Sequence, residues 1–251
     1  MGLHSKYQVV LVCVLLLPAL CLSRFTNSRA TYYNTSDGSG TPTGACGFGD
    51  YGRTENSGRV AGVSGLWRGG AGCGACYQVK CNDTKLCRTD GVTIVVTDMG
   101  SGDRTDFVMS LNGFLRLGLN ANASDELRKK GTVDIQYRRV RCTFGGSNVK
   151  IKINENSRFP DYLAIAVIYV PGSKDVVSFQ ISNNNGRDWK PLRRVFGGVF
   201  DLENAPSGPF KVRVQFSRSQ TWAESPNNVI PADWKVGAIY DSRIHVDHAT
   251  S

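Results

Sequence analysis

Six cysteines, Cys46, Cys73, Cys76, Cys81, Cys87 and Cys142, all fall before residue 143, and nothing later in the 251-residue chain carries one. Two others, Cys13 and Cys21, belong to an N-terminal stretch in which Lys6 precedes the apolar run Val9–Leu17 and then Pro18 to Ser23. A positive residue, a short apolar core and small residues behind it predict a secretory signal peptide over residues 1–23. The run is shorter than the ~20 apolar residues of a membrane span. Loss of that peptide leaves an even number of cysteines in an oxidising compartment, which reads as a disulfide framework. The chain therefore divides into a stapled domain, 24–143, and a cysteine-free domain, 149–248, joined through Phe144-Gly145-Gly146-Ser147-Asn148. Secretion also makes the sequons at Asn34, Asn82 and Asn122 candidate glycosylation sites.

Both domains read as β-structure. Val92–Thr97 is β-branched throughout, and Thr132–Arg138 alternates with period two, as a half-buried strand does. Val149–Ile153, Tyr162–Val170, Val176–Ile181 and Phe210–Phe216 read as further strands, with a turn at Asn183–Gly186. Strands at this spacing suggest an antiparallel sandwich. No helical periodicity of useful length stands out. The best short helix is Asn112–Leu119, with Phe114, Leu115 and Leu119 on one side. A net charge of +9 favours acidic partners. Secretion argues against nucleic acid, and an acidic extracellular polysaccharide such as pectin would fit.

Three stretches carry a resemblance. Ala30-Thr31-Tyr32-Tyr33 is followed by Gly44–Gly49; Gly72-Cys73-Gly74-Ala75-Cys76 runs on to Cys81; Val95–Asp98 precedes Tyr137–Cys142. Pro160–Ala164, Trp189–Leu192 and Val229–Trp234 continue it. In this order and spacing they resemble the plant expansin superfamily, and Thr105–Ser110 points to its expansin-like B branch. The resemblance implies an all-β chain: a six-stranded double-psi β-barrel, similar to family-45 glycoside hydrolases, followed by an immunoglobulin-like β-sandwich similar to pollen allergens. It also implies the pairings Cys46–Cys73, Cys76–Cys142 and Cys81–Cys87, which spacing alone leaves open.

Glycoside hydrolysis needs two carboxyl groups. By the resemblance, the acid of a His-Phe-Asp motif is replaced here in Asp106-Phe107-Val108, so Val108 stands where the acid would be. Asp98 survives at a strand end, as a partner for a glycan hydroxyl. Asp106 could compensate only if its stretch is extended and aims it with Val108. Thr31, Tyr32 and Tyr33 match a segment lining the family's groove, where aromatic faces stack on sugar rings. In the second domain Tyr162, Trp189, Phe196 and Phe200 match a row of surface aromatics. Phe196 and Phe200, four apart, would share a face if the segment is extended. Tyr169, Phe179 and Phe210 read as core.

Cys73–Tyr77 also matches the pattern around a papain-type nucleophile. Only His245 and His248 are available as its base, at the extreme C-terminus, and they are too few for a zinc site. No metal or cofactor is expected. The leading reading is a monomeric, non-enzymatic wall protein that binds cellulose, hemicellulose or pectin and loosens non-covalent polymer contacts, with no membrane or nucleic-acid partner. The alternatives are a carbohydrate-binding or signalling protein without loosening activity, and a weak endoglucanase.

Overall fold

The structure is a computed structural model that describes residues 24–100, 106–144 and 148–246. The proposed signal peptide, Gly145–Ser147 of the joining segment and His248 lie outside the described residues. Six strands close a barrel: β1 (Thr26–Tyr33), β2 (Val60–Val63), β3 (Cys76–Cys81), β4 (Val92–Met99), β5 (Phe107–Ser110) and β6 (Val133–Val140). Their order around it is β1-β5-β2-β4-β3-β6. The β1–β5 and β2–β4 neighbours are parallel and the others antiparallel.

Strand alternation fills the barrel. Ala30, Ala61, Val63, Val79, Ile94, Val96, Phe107, Met109 and Ile135 share one buried cluster. Val60 and Val95, facing the other way, are buried with Cys76 and Cys142. That is why β2 is buried on both faces and why a continuous apolar run suits it. The bridges are Cys46–Cys73, Cys76–Cys142 and Cys81–Cys87, the pairings the resemblance implied. Cys76 is therefore no nucleophile.

Helices appear at one expected place and two unexpected ones. Helical segment α1 spans Asp50–Gly58, α2 spans Leu111–Leu115, and α3 spans Ala121–Lys130. The Asn120 side chain caps α3 by accepting from the Ala123 amide at 3.0 Å, and only Ala123 and Leu127 of α3 are buried. The predicted helix at Asn112–Leu119 shortens to α2. Phe114 is buried, but Leu119 is exposed and does not share its side.

The second half comprises β7 (Lys150–Ile153), β8 (Tyr162–Ile168), β9 (Val176–Ser182), β10 (Lys190–Phe196), β11 (Val199–Glu203), β12 (Lys211–Phe216), β13 (Trp222–Glu224) and β14 (Ile239–Asp241). They form one eight-stranded ladder, β13-β12-β9-β10-β11-β8-β7-β14. β10 turns the corner: Lys190–Leu192 pair with β9, whereas Arg193–Phe196 pair with β11. The ladder curls on itself, so that Ile151 and Ile165 from one end share a core with Phe179, Val212 and Val214 from the other. The expected sandwich takes the form of this curled ladder, its two halves joined at β10 and facing each other across the shared core. Phe179 and Phe210 are core, as expected, and Tyr169 is half-buried.

The two bodies meet through packing. Ala164, Ala166, Ile168 and Val199 belong to the barrel's buried cluster. The Gly197-Gly198 turn between β10 and β11 presses on the barrel: a Cβ on Gly197, whose φ is +46°, would lie 2.1 Å from the Ala45 carbonyl oxygen. The Lys152 ammonium donates to Phe48 O at 3.1 Å and Asn154 Nδ2 to Gly47 O at 2.9 Å.

Candidate functional site

Register across four neighbouring barrel strands sets Thr31 beside Val108, Val108 beside Gly62, and Gly62 beside Asp98. This transverse row spans three strand spacings, about 14 Å along the wall. At one end, Asp98 is half-buried, and its Oδ1 accepts from the Ala45 amide at 2.6 Å and the Met99 amide at 2.8 Å. Those bonds fix the carboxylate where β4 ends. Gly62, in the middle of the row, is buried. A Cβ there would lie 3.0 Å from the Gly100 nitrogen, so backbone passes close over β2.

Tyr33 reaches toward the carboxylate. Its hydroxyl is buried and has no hydrogen-bond partner among the described residues. Burial, and secondly the Asp98 charge, push it well above the usual phenol range. An orphaned buried hydroxyl beside a carboxylate calls for a water or a ligand hydroxyl.

The rest of the predicted segment is engaged elsewhere. Tyr32 turns away to stack on Phe114, ring centroids 4.9 Å apart, and its hydroxyl donates to Arg128 O at 3.2 Å. It is part of the α3 packing rather than of a groove. Thr31 Oγ1 donates to Gly131 O at 2.9 Å. Asp106 lies in a bend just before β5, so the extended stretch that would align it with Val108 is absent. Its carboxylate accepts from Ser28 Oγ at 2.5 Å and Ser64 Oγ at 3.3 Å.

The four aromatics of the second half separate into three environments. Phe196 is exposed and its ring lies against Gly47, at the junction. Tyr162 alternates with Leu163, so it shares the barrel-facing side of β8 with Ala164; its hydroxyl donates to Asp201 Oδ2 at 2.8 Å. Burial, followed by that bond, raises the Tyr162 phenol. Phe200 is 1% exposed, in the core beneath the Arg194 guanidinium at 4.4 Å, so it is no surface aromatic. The reason is the turn at Gly197-Gly198, which puts Phe200 on β11, opposite Arg194, and not in line with Phe196. Trp189 lies on the other side of the curled sheet. Arg213 stacks its guanidinium on Trp189 at 4.4 Å and on Trp222 at 4.6 Å. Arg213 also donates to Gln180, and both residues alternate with core positions of β12 and β9. Trp189 and Tyr162 therefore cannot belong to one groove. Trp222 had no signal in the sequence, because its partner lies on another strand. The sequon residues Asn34, Asn82 and Asn122 are all exposed.

Comparison with known proteins adds to this geometry. An Expansin C-terminal domain model matches residues 149–231, and a double-psi barrel model described as lytic transglycolase matches residues 59–137. Expansin-like B1 of Arabidopsis thaliana is 46% identical over 247 residues, covering 96% of this chain and 98% of that protein. The chain belongs to the expansin superfamily, in its expansin-like B branch. Expansin-like B1 of Oryza sativa subsp. japonica is 41% identical over 250 residues, covering 97% of each chain. The expansin fold is shared with the Clavibacter michiganensis expansin, at 22% identity and a TM-score of 0.65 over 87% of this chain and 96% of that one. A mutant of that bacterial protein was solved in complex with cellohexaose, with the same TM-score. Among the described residues of this expansin, no helix is long and apolar enough to cross a membrane.

Proposed function

We propose that this expansin-like protein is secreted to the cell wall, lays a β-linked glycan across the barrel row and the junction, and loosens non-covalent polymer contacts without hydrolysis. The observation that carries the reading is the row itself: Asp98 at one end, and the hydrocarbon of Val108 where a second carboxyl would be needed, with only Gly62 between them. Hydrolysis by either stereochemical route requires two carboxyl groups flanking the scissile bond. A valine neither donates nor accepts a proton, so the row binds a sugar and lacks an acid to cleave it. Phe196 extends the surface across the junction and Tyr162 continues it, while the orphaned Tyr33 hydroxyl and Asp98 supply polar contacts. Cellohexaose in the bacterial relative supports a β-glucan as ligand.

The test is a creep measurement on heat-inactivated walls, run beside a reducing-sugar assay on cellulose, xyloglucan and mixed-linkage glucan. Extension without new reducing ends is expected, with Asp98→Asn reducing the extension. Sustained release of reducing ends by pure protein, abolished by Asp98→Asn, would overturn the reading in favour of an endoglucanase. Glycan binding without any extension would leave a carbohydrate-binding protein.

A further inference from the structure

At the junction, on the β3–β6 side of the barrel, a cavity of about 280 Å³ is lined by Arg68, Tyr77, Arg139, Lys174, Asp175 and Arg218, with two serines. Four of these residues are cationic, and Asp175 is the single carboxylate among the described residues of the lining. Asp175 pairs with Arg68 at 2.7 Å and with Arg139 at 3.3 Å, so one anion is shared by two guanidinium groups from the barrel. The Arg139 guanidinium also lies over the Tyr77 ring, 5.4 Å from its centroid, and forms a cationic wall on an aromatic base. Arg194 adds a further buried guanidinium near Asp175. It is held by the carbonyls of Gly70, Gly197 and Val176, and burial lowers its pKa while Asp175 opposes the shift. Loop geometry holds Asp175 in place, since its amide donates to Ser217 Oγ at 2.9 Å.

Four cations against one carboxylate leave the cavity with a net positive charge that attracts an anion. Guanidinium groups match a carboxylate in planar, two-pronged fashion. We infer that this junction cavity binds a carboxylate-bearing sugar, a uronate unit of an acidic wall polysaccharide, apart from the neutral-glycan row. The inference deepens the proposed function, on which its choice of a sugar rests. It places the acidic-polysaccharide contact at one cavity instead of spreading it over the basic surface.

The experiment is calorimetric titration of the full mature chain at low salt with a galacturonate trimer, its fully methyl-esterified counterpart, cellohexaose and inorganic phosphate. The trimer should bind and its ester should bind at least about tenfold more weakly, the scale of losing one charge-assisted contact. The double variant Lys174→Gln with Arg218→Gln spares the Arg68–Asp175–Arg139 cluster. It should weaken the trimer by a similar factor or more, with an unchanged melting curve and unchanged binding of cellohexaose. Equal binding of trimer and ester, full trimer affinity in the double variant, or phosphate binding as tightly as the trimer would overturn the inference. The ester comparison uses the wild-type chain alone, so it decides even if the variant folds poorly. Cellohexaose binding with wall extension, but no preference for the trimer, sinks the cavity and spares the proposed function. A trimer preference lost in the double variant, with neither neutral-glycan binding nor extension, does the reverse.

Discussion

Replacing Phe200 and Phe196 separately by alanine distinguishes core from surface at the residues where sequence and structure part company. Phe200 is 1% exposed, 6.2 Å from the Phe179 ring between centroids, with the Arg194 guanidinium above it. Removing a buried phenyl ring forfeits about 2 kcal/mol of transfer free energy. The cavity left behind brings the total to roughly 4 kcal/mol. In a chain of this size each kcal/mol lowers Tm by about 2–4 °C, so the Phe200→Ala midpoint should fall by roughly 10 °C. The loss should also loosen the junction, because Arg194 ties Gly70 of the barrel to the Gly197 turn through the same guanidinium. Phe196 is 38% exposed. Its replacement should cost about 1 kcal/mol of stability, yet weaken glycan binding by about 2 kcal/mol, close to thirtyfold, if its ring stacks on sugar. Thermal melts and pull-down on insoluble cellulose measure both quantities on the same samples. If Phe200→Ala loses binding with an intact melting curve, or Phe196→Ala unfolds the protein while folded molecules bind normally, the assignment of the two rings is refuted.

Two further outcomes follow from the junction and the bridges. Removing Cys76 and Cys142 together, which closes a sequence separation of 66 residues, should cost about 4 kcal/mol in denaturant titration, against about 2 kcal/mol for Cys81 with Cys87, separated by 6. Glu55 is buried and hydrogen-bonded to Tyr51, and burial raises its pKa. The folded state therefore holds that proton more tightly than the unfolded state, so ionising Glu55 destabilises the fold and the penalty lifts as pH falls through the raised value. Glu55→Gln should be the more stable form at neutral pH, with its advantage vanishing toward the ordinary carboxylate range; an advantage that grows on acidification would contradict this.

Much of the architecture could be read from local pattern. The alternation of residues 132–138 and the β-branched run at 92–97 became β6 and β4, because each buries one face or both against fixed neighbours. β10 and β11 were missed, although Gly197-Gly198 between two apolar runs is a two-residue hairpin signal. Reading that signal would have separated Phe196 from Phe200. Helix α3 escaped notice because its buried face is only Ala123 and Leu127, too little for a periodic pattern; the cues were the Asn120 cap and Gly131 beyond the end. The Trp189–Arg213–Trp222 stack and the cations around Asp175 gather residues from distant strands, and no local window contains them.

The replacement at Val108 changes the character of the row without dismantling it. Val108 and Asp98 flank Gly62 on opposite sides, two strand spacings or about 10 Å apart at the backbone. A carboxyl at Val108 would add proton transfer and would also face the cost of desolvation once a polymer covered it. The half-buried isopropyl group there carries no such cost and would present an apolar contact to the C–H face of a sugar ring. Gly100 packs against the same side chain: a Cβ on Gly100 would meet Val108 Cγ2 at 3.0 Å, so the valine is held between two close backbone segments. Asp98, anchored by two amides, keeps its hydrogen-bonding role at the other end. What the exchange removes is the acid alone. Shape, aromatic continuation through Phe196 and one fixed carboxylate all remain, and under the proposed function a surface built that way competes for contacts between polymers while leaving their covalent bonds untouched.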